Sequence, residues 1–316
     1  MSSPSRETSS GIQPRSALSR QLDAGFIWLT RIFALAVAIT LMWIAIQVLI
    51  AALPAIQKYG FNFLISKAWN PPQEEYGALP MMYGTVVTSF IALLLAVPVG
   101  IGVAIFLSED YLPPKFQMPI VFLVELLAAI PSVVYGLWGI FVLGPLLVKL
   151  GMPLYTYFNW LPIFSTPASN RGLLTAGVIL AIMVLPTIAA ISRDALISVP
   201  TDLRQASVGL GATRWETILK VLLPAAFSGI VGAVMLALGR AIGETMAVTM
   251  VIGNAITISP SIFAPSNTIP SLLANQFAEA SGLQVAALMY AAFLLFIITL
   301  IVNILAQLIV KRVQRI

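Results

Sequence analysis

Six long apolar stretches, at about residues 27–53, 81–107, 119–148, 173–191, 225–252 and 284–310, alternate with more polar segments along the chain. A bilayer core is crossed by about 20 apolar helical residues, so the pattern predicts six membrane-spanning helices and an all-α integral membrane fold. The third stretch contains Pro131, whose missing N–H and ring clash predict a kink or break. The first is longer than the short core of a cleaved signal, retains Trp28, Met42 and Trp43, and reads as a true span. Residues 1–25 are rich in Ser, Pro and Arg and have no apolar run long enough to pack. They are expected to form a disordered tail, with residues 26–316 as one six-span domain.

Composition supports the membrane reading. The 316 residues are 59% hydrophobic and 9% charged, against roughly 25% charged in soluble domains. The chain has no His and no Cys, which removes Cys nucleophiles, Ser-His pairs and thiolate or imidazole metal sites. Nothing in it calls for a metal or cofactor. The net charge of +5 reflects orientation rather than nucleic-acid binding. Arg6, Arg15, Arg20, Arg31, Lys115, Arg193, Arg204, Arg214, Lys220, Lys311, Arg312 and Arg315 fall on one side of the predicted spans, and only Lys58, Lys67, Lys149 and Arg171 on the other. By the positive-inside bias both termini are cytoplasmic. On the outer side, residues 54–80 and 149–172 are rich in Pro and aromatic residues and read as ordered caps, while residues 253–283 contain no Lys or Arg. No clean internal repeat is visible, so the inverted-repeat signature of many secondary transporters is missing at this level.

The longest polar island between two spans is the cytoplasmic loop 193–224, with Arg204–Gly229 as its most conspicuous part. Pro200, Thr201 and Asp202 predict a helix start, with Asp202 and Gln205 at capping-box spacing. Gly209 and Gly211 predict its end. Thr213 and Glu216 repeat the cap spacing for a second helix with Trp215, Ile218, Leu219 and Leu222 on its apolar face, and Pro224 marks the start of the fifth span. A helix-turn-helix DNA reader shares the outline, but tethering to the bilayer at both ends argues against one. The segment resembles the cytoplasmic signature of binding-protein-dependent ABC importer permeases: Glu-Ala-Ala, three residues, Gly, nine residues, then Ile-x-Leu-Pro. Here Gln205, Ala206 and Ser207 take the first places, Gly211 the glycine, and Val221, Leu223 and Pro224 the end. The resemblance implies a type I (MetI-like) importer permease fold whose short coupling helix docks on a cytoplasmic ATPase, so that ATPase closure rocks the spans. Gln205 stands where the family has Glu, which leaves any ion pair to the ATPase to Asp202 or Arg204. The chain has no Gly-x-x-x-x-Gly-Lys-Ser/Thr loop, so a permease of this kind hydrolyses no ATP itself.

Charged residues inside the spans are the candidates for what is carried. Arg240 lies about fifteen residues from the start of the fifth apolar stretch, near or just beyond mid-membrane at ~1.5 Å per residue. Glu244 is one helical turn further on the same predicted face. Two readings stand: a self-neutralising structural pair, or a guanidinium fork that Glu244 holds ready for an oxyanion. Glu125 in the third stretch is the remaining candidate and is placed to pair with Arg240 across helices. Trp69-Asn70-Pro71 with Gly77-Ala78-Leu79-Pro80, the run Ala129–Gly136, and Gly239-Arg240-Ala241-Ile242-Gly243-Glu244-Thr245-Met246-Ala247-Val248 resemble the PstC-type family of bacterial phosphate-importer permeases. The likeness covers nearly the whole chain beyond its N-terminal tail. It implies a multi-pass subunit of the bacterial inner membrane forming half of a phosphate pathway. The implied partners are a second permease (PstA type), two ATPase subunits (PstB type) and an extracytoplasmic phosphate-binding protein (PstS type). The alternatives are a permease for sulfate or molybdate, and an ion-coupled secondary transporter using Arg240 and Glu244 as a proton-linked pair.

Overall fold

The computed structural model describes residues 17–109, 111 and 113–313. These fall into two compact units divided between Gln47 and Val48. The first consists of the greater part of α1, which runs Ala17–Tyr59. The helix thus begins inside the segment expected to be a disordered tail, because Ala17, Leu18, Gln21 and Leu22 are good helix formers; residues 1–16 of that tail lie outside the described residues. Within this unit the Arg31 guanidinium lies 5.6 Å from the Trp28 ring centroid.

The second unit takes up the end of α1, followed by α2 (Asn62–Ile65) and the antiparallel strands β1 (Trp69–Asn70) and β2 (Glu75–Tyr76), with Trp69 opposite Tyr76 and Asn70 opposite Glu75. Next come α3 (Leu79–Ser108), α4 (Pro114–Ala128), α5 (Ser132–Trp138), a π-turn over Gly139–Leu143, and α6 (Gly144–Phe158). They are followed by α7 (Leu173–Ile197), α8 (Thr201–Gly209), α9 (Arg214–Thr217), a second π-turn over Ile218–Leu222, and α10 (Leu223–Gly243). The chain closes with α11 (Met246–Val251), α12 (Ile269–Gln276) and α13 (Leu283–Val313).

Six helices among the described residues are long and apolar enough to cross a membrane: Asp23–Tyr59, Leu79–Ser108, Ser132–Phe158, Leu173–Ile197, Arg214–Gly243 and Leu283–Leu308. The count agrees with the apolar pattern, and two boundaries are corrected. The third crossing is Ser132–Phe158 rather than 119–148, because Pro131 ends one helix and starts the next instead of bending a single one. Its predecessor is pushed away from helical geometry, and the Tyr135 hydroxyl donates to the Leu127 carbonyl at 2.8 Å, serving an acceptor near the end of α4. The fifth helix starts earlier and ends earlier than expected, at Arg214 and Gly243 instead of about 225 and 252. Pro224 does not begin it: the wide turn over Ile218–Leu222 makes room for a ring that would otherwise strike the preceding turn.

Packing explains why these elements hold together. α7 lies at the centre of the principal core, where Ile179, Leu180, Met183, Val184 and Ile188 meet Ala92 and Ala96 of α3, Tyr135 of α5, Ala237 of α10 and Val248 of α11. α3 and α7 approach closely: a Cβ added at Gly177 would lie 2.5 Å from Ile91 Cγ2. A second core fixes the 54–80 cap. Phe63 stacks on Tyr290 at 4.4 Å, Trp69 meets Tyr76 edge-on at 5.0 Å, and Trp69 Nε1 donates to Gln276 at 2.7 Å. A third, of Ala104, Leu196, Val199, Ile218, Leu222, Ala226 and Ile230, lies beside the loop that carries α8.

Candidate functional site

The loop over residues 193–224 folds largely as its signals direct. α8 follows Pro200, whose φ of −54° suits a helix start. The expected Asp202–Gln205 cap is not formed: Pro200 occupies the cap position and Asp202 lies inside the first turn, where its charge complements the helix dipole. α8 closes through the Leu210 N–H to the Ala206 carbonyl and the Ala212 N–H to the Ser207 carbonyl, both 3.1 Å. The turn then passes through Gly211 at φ +87°, a conformation that costs other residues about 1–2 kcal/mol. Thr213 caps α9 with a complete capping box: its hydroxyl accepts from the Glu216 N–H at 3.3 Å, and the Glu216 carboxylate accepts from the Thr213 N–H at 3.0 Å. Of the apolar face expected for the second helix, Ile218 and Leu222 are buried while Trp215 and Leu219 are exposed.

The residues proposed to meet an ATPase divide into two sets. Asp202, Gln205 and Ala206 are exposed. Arg204 is turned inward: its Nη1 lies 2.6 Å from Glu109 Oε1, immediately after α3. Ser207 shares a hydrogen bond with the Thr217 hydroxyl at 2.9 Å. Of the two residues, Asp202 and Arg204, expected to offer an ion pair to an ATPase, Arg204 is held by a carboxylate of the same chain and Asp202 is exposed. Glu109 escaped the sequence reading. Its signal was a carboxylate just past the end of an apolar run, with an aromatic residue, Tyr111, two positions on.

Of the charges expected within the spans, only Arg240 lies inside one; Glu244 follows the fifth and Glu125 precedes the third. α10 ends at Gly243, Glu244 is extended with ψ 126°, and a new helix starts at Met246. Arg240 sits in the last turn of α10, where positive charge complements the carbonyl end of the dipole. Glu244 Oε1 accepts from the Ala247 N–H at 3.3 Å, so its charge serves the amino end of α11. Among the described residues these two form no ion pair, since four-residue spacing places side chains together only on a continuous helix. Arg240 is half-buried and within electrostatic range of the Tyr135 hydroxyl. Nor does Glu125 pair with it. Glu125 lies on α4 and lines a small void opposite Arg193, whose Nε is buried without a partner and whose Nη1 is 3.5 Å from Asp194. Among the described residues no cluster of carboxylates could hold a metal ion.

Six membrane-crossing helices, a short outlying helix on a glycine-closed loop, and an arginine at a broken span define a polytopic transport permease. Residues 96–315 match the family of binding-protein-dependent transport system inner membrane components, and the chain belongs to that family. It is 45% identical over 291 residues to the phosphate transport system permease protein PstC of Pasteurella multocida, covering 90% of this chain and 91% of that protein. It is 46% identical over 298 residues to PstC of Mesorhizobium japonicum, covering 92% and 91%. Among solved structures, a bacterial alginate ABC transporter in complex with its pentasaccharide-bound periplasmic protein superposes with TM-score 0.61 at 16% identity, over 92% of this chain and 97% of that one. An inward-facing MetNI methionine transporter does so with TM-score 0.53 at 20% identity, over 78% and 99%. The fold is that of a MetI-type ABC importer permease.

Proposed function

We propose that this chain is the non-hydrolysing permease subunit of an ATP-driven phosphate importer, forming half of the pathway and converting ATPase closure into alternating access. The observation that carries the reading is α8. None of its residues is buried, and it holds Val208 at 59% exposure beside Leu210 at 90%. An apolar surface of this kind on an otherwise polar loop is a docking surface, and its place on the Lys/Arg-rich side puts it where ATP is available. Phosphate is favoured by the relatives, both described as phosphate transport permeases, and by Arg240, whose fork suits an oxyanion. The partners are a PstA-type permease, two PstB-type ATPases and a PstS-type phosphate-binding protein, with both termini of this chain in the cytoplasm of a bacterial cell.

The test is uptake by proteoliposomes containing the purified complex. Phosphate accumulation is expected only with ATP and the binding protein together. Accumulation driven by a proton gradient alone would establish the secondary-transporter alternative, and preferential uptake of sulfate or molybdate would replace the substrate.

A further inference from the structure

α8 has few ties through which to move anything. With no buried residue, it has no packed face to push with. Beyond its chain connections, side-chain hydrogen bonds or ion pairs hold it at two places among the described residues. One is the Ser207–Thr217 hydroxyl bond, which joins it to the adjacent α9. The other is Arg204 to Glu109 at 2.6 Å, which joins it to a different membrane crossing, α3.

The far end of that second tie is firmly built. Glu109 is 8% exposed, and its N–H continues the α3 ladder by donating to the Ile105 carbonyl at 3.1 Å. Two residues on, the Tyr111 ring stacks on Phe106 of α3 with centroids 6.1 Å apart and planes 11° from parallel. The Arg214 guanidinium lies 5.1 Å from the Tyr111 centroid, and the Trp215 ring is 6.4 Å away. The end of α3 is thus bound to both helices that flank the Gly211 turn. A charge-assisted bond is short and directional. Glu109 is buried and Arg204 half-buried, and removing the arginine leaves a buried carboxylate uncompensated, so the link resists being pulled apart.

We propose that Glu109 and Arg204, with Tyr111 beside them, form a strut that passes displacement of α8 to the second membrane crossing. Glu109 is then a positioning residue that touches neither ATPase nor transported ion. The proposal rests on the reading of α8 as the coupling helix.

The experiment uses the whole importer in proteoliposomes and reads phosphate transported per ATP hydrolysed. The wild-type complex tests the function itself: if it shows no ATP-driven uptake, that reading fails first. Given working wild type, Glu109→Gln and Arg204→Gln are expected to keep the ATPase bound and hydrolysing while the ratio falls about tenfold, equivalent to about 1.4 kcal/mol. The chain has no cysteine, so an E109C/R204C variant can be bridged by a short bis-methanethiosulfonate reagent, which is expected to restore most of the ratio, and reduction to abolish it again. An unchanged ratio in both Gln variants overturns the strut. So does loss of the ATPase from either, which would make the pair part of the docking surface, and so does a bridged variant that stays uncoupled.

Discussion

Arg240 and Glu244, four residues apart, stand on either side of a helix break, one in the last turn of α10 and the other bonded to the first turn of α11. Each charge is balanced by a helix end rather than by its neighbour. Among the described residues no carboxylate lies within ion-pair distance of the Arg240 guanidinium, as a site for a transient anion requires. Substituting Arg240→Gln is therefore expected to lower phosphate uptake about tenfold or more, or about 1.4 kcal/mol of barrier, without releasing the ATPase. Because no pair exists to be rebuilt, the reversed variant R240E/E244R should not recover transport. A double-mutant cycle with Glu244→Gln should give a coupling below about 0.5 kcal/mol. Strong rescue by the reversed pair would establish that the two charges meet during the cycle.

Gly211 is the point at which the loop between α8 and α9 turns with positive φ, and Gly209, two residues earlier, has helical backbone and nothing within 4 Å of an added Cβ. The pair separates backbone strain from simple bulk. Gly211→Val is expected to abolish uptake while the protein still inserts, since a β-branched residue in left-handed geometry costs at least about 1–2 kcal/mol. Gly209→Ala is expected to preserve uptake and to stiffen α8, because Ala exceeds Gly in helix propensity by about 1 kcal/mol. Equal uptake by the two variants would remove the turn from the mechanism.

What was legible in the sequence follows from the range of each signal. Crossing a bilayer demands long apolar runs, so six helices could be counted without any tertiary information. The Thr213–Glu216 cap was equally plain, because its two bonds close within four residues. The failures have three causes: a competing local signal, a helix that does not continue, and a partner remote in the chain. Asp202 and Gln205 have cap spacing, but Pro200 takes the cap position. Arg240 and Glu244 have pairing spacing that counts only if the helix continues, and nothing local announces the break at Glu244. Glu109 and Arg204 are 95 positions apart in the chain, and no periodicity links them.

The capping box at Thr213 holds the second half of the loop against the turn. Thr213→Ala removes both hydrogen bonds of its hydroxyl to Glu216, leaving the Thr213 N–H bond, and is expected to cost about 1 kcal/mol of local stability. The loss should show as faster amide hydrogen exchange across residues 210–217, with the transmembrane cores unaffected. A uniform rise in exchange throughout the chain would mean that the cap supports the whole fold instead of this loop.

α3 and α7 pack closely at Gly177 of α7. At Gly177 an added Cβ would come within 2.5 Å of Ile91 Cγ2 and 2.8 Å of Ile91 Cβ, so the helices must separate or Ile91 must change rotamer. Overpacking of this kind costs about 1–3 kcal/mol, and Gly177→Val is expected to lower the thermal midpoint of the detergent-purified protein and to broaden its gel-filtration peak. Gly102, on α3, has nothing within 4 Å of an added Cβ and supplies the control: Gly102→Ala should neither lower the midpoint nor broaden the peak. Adding Ile91→Ala to Gly177→Val removes the nearest atom, Cγ2, and should recover part of the loss. No recovery would place the strain in the backbone approach of the two helices rather than in the side chain between them.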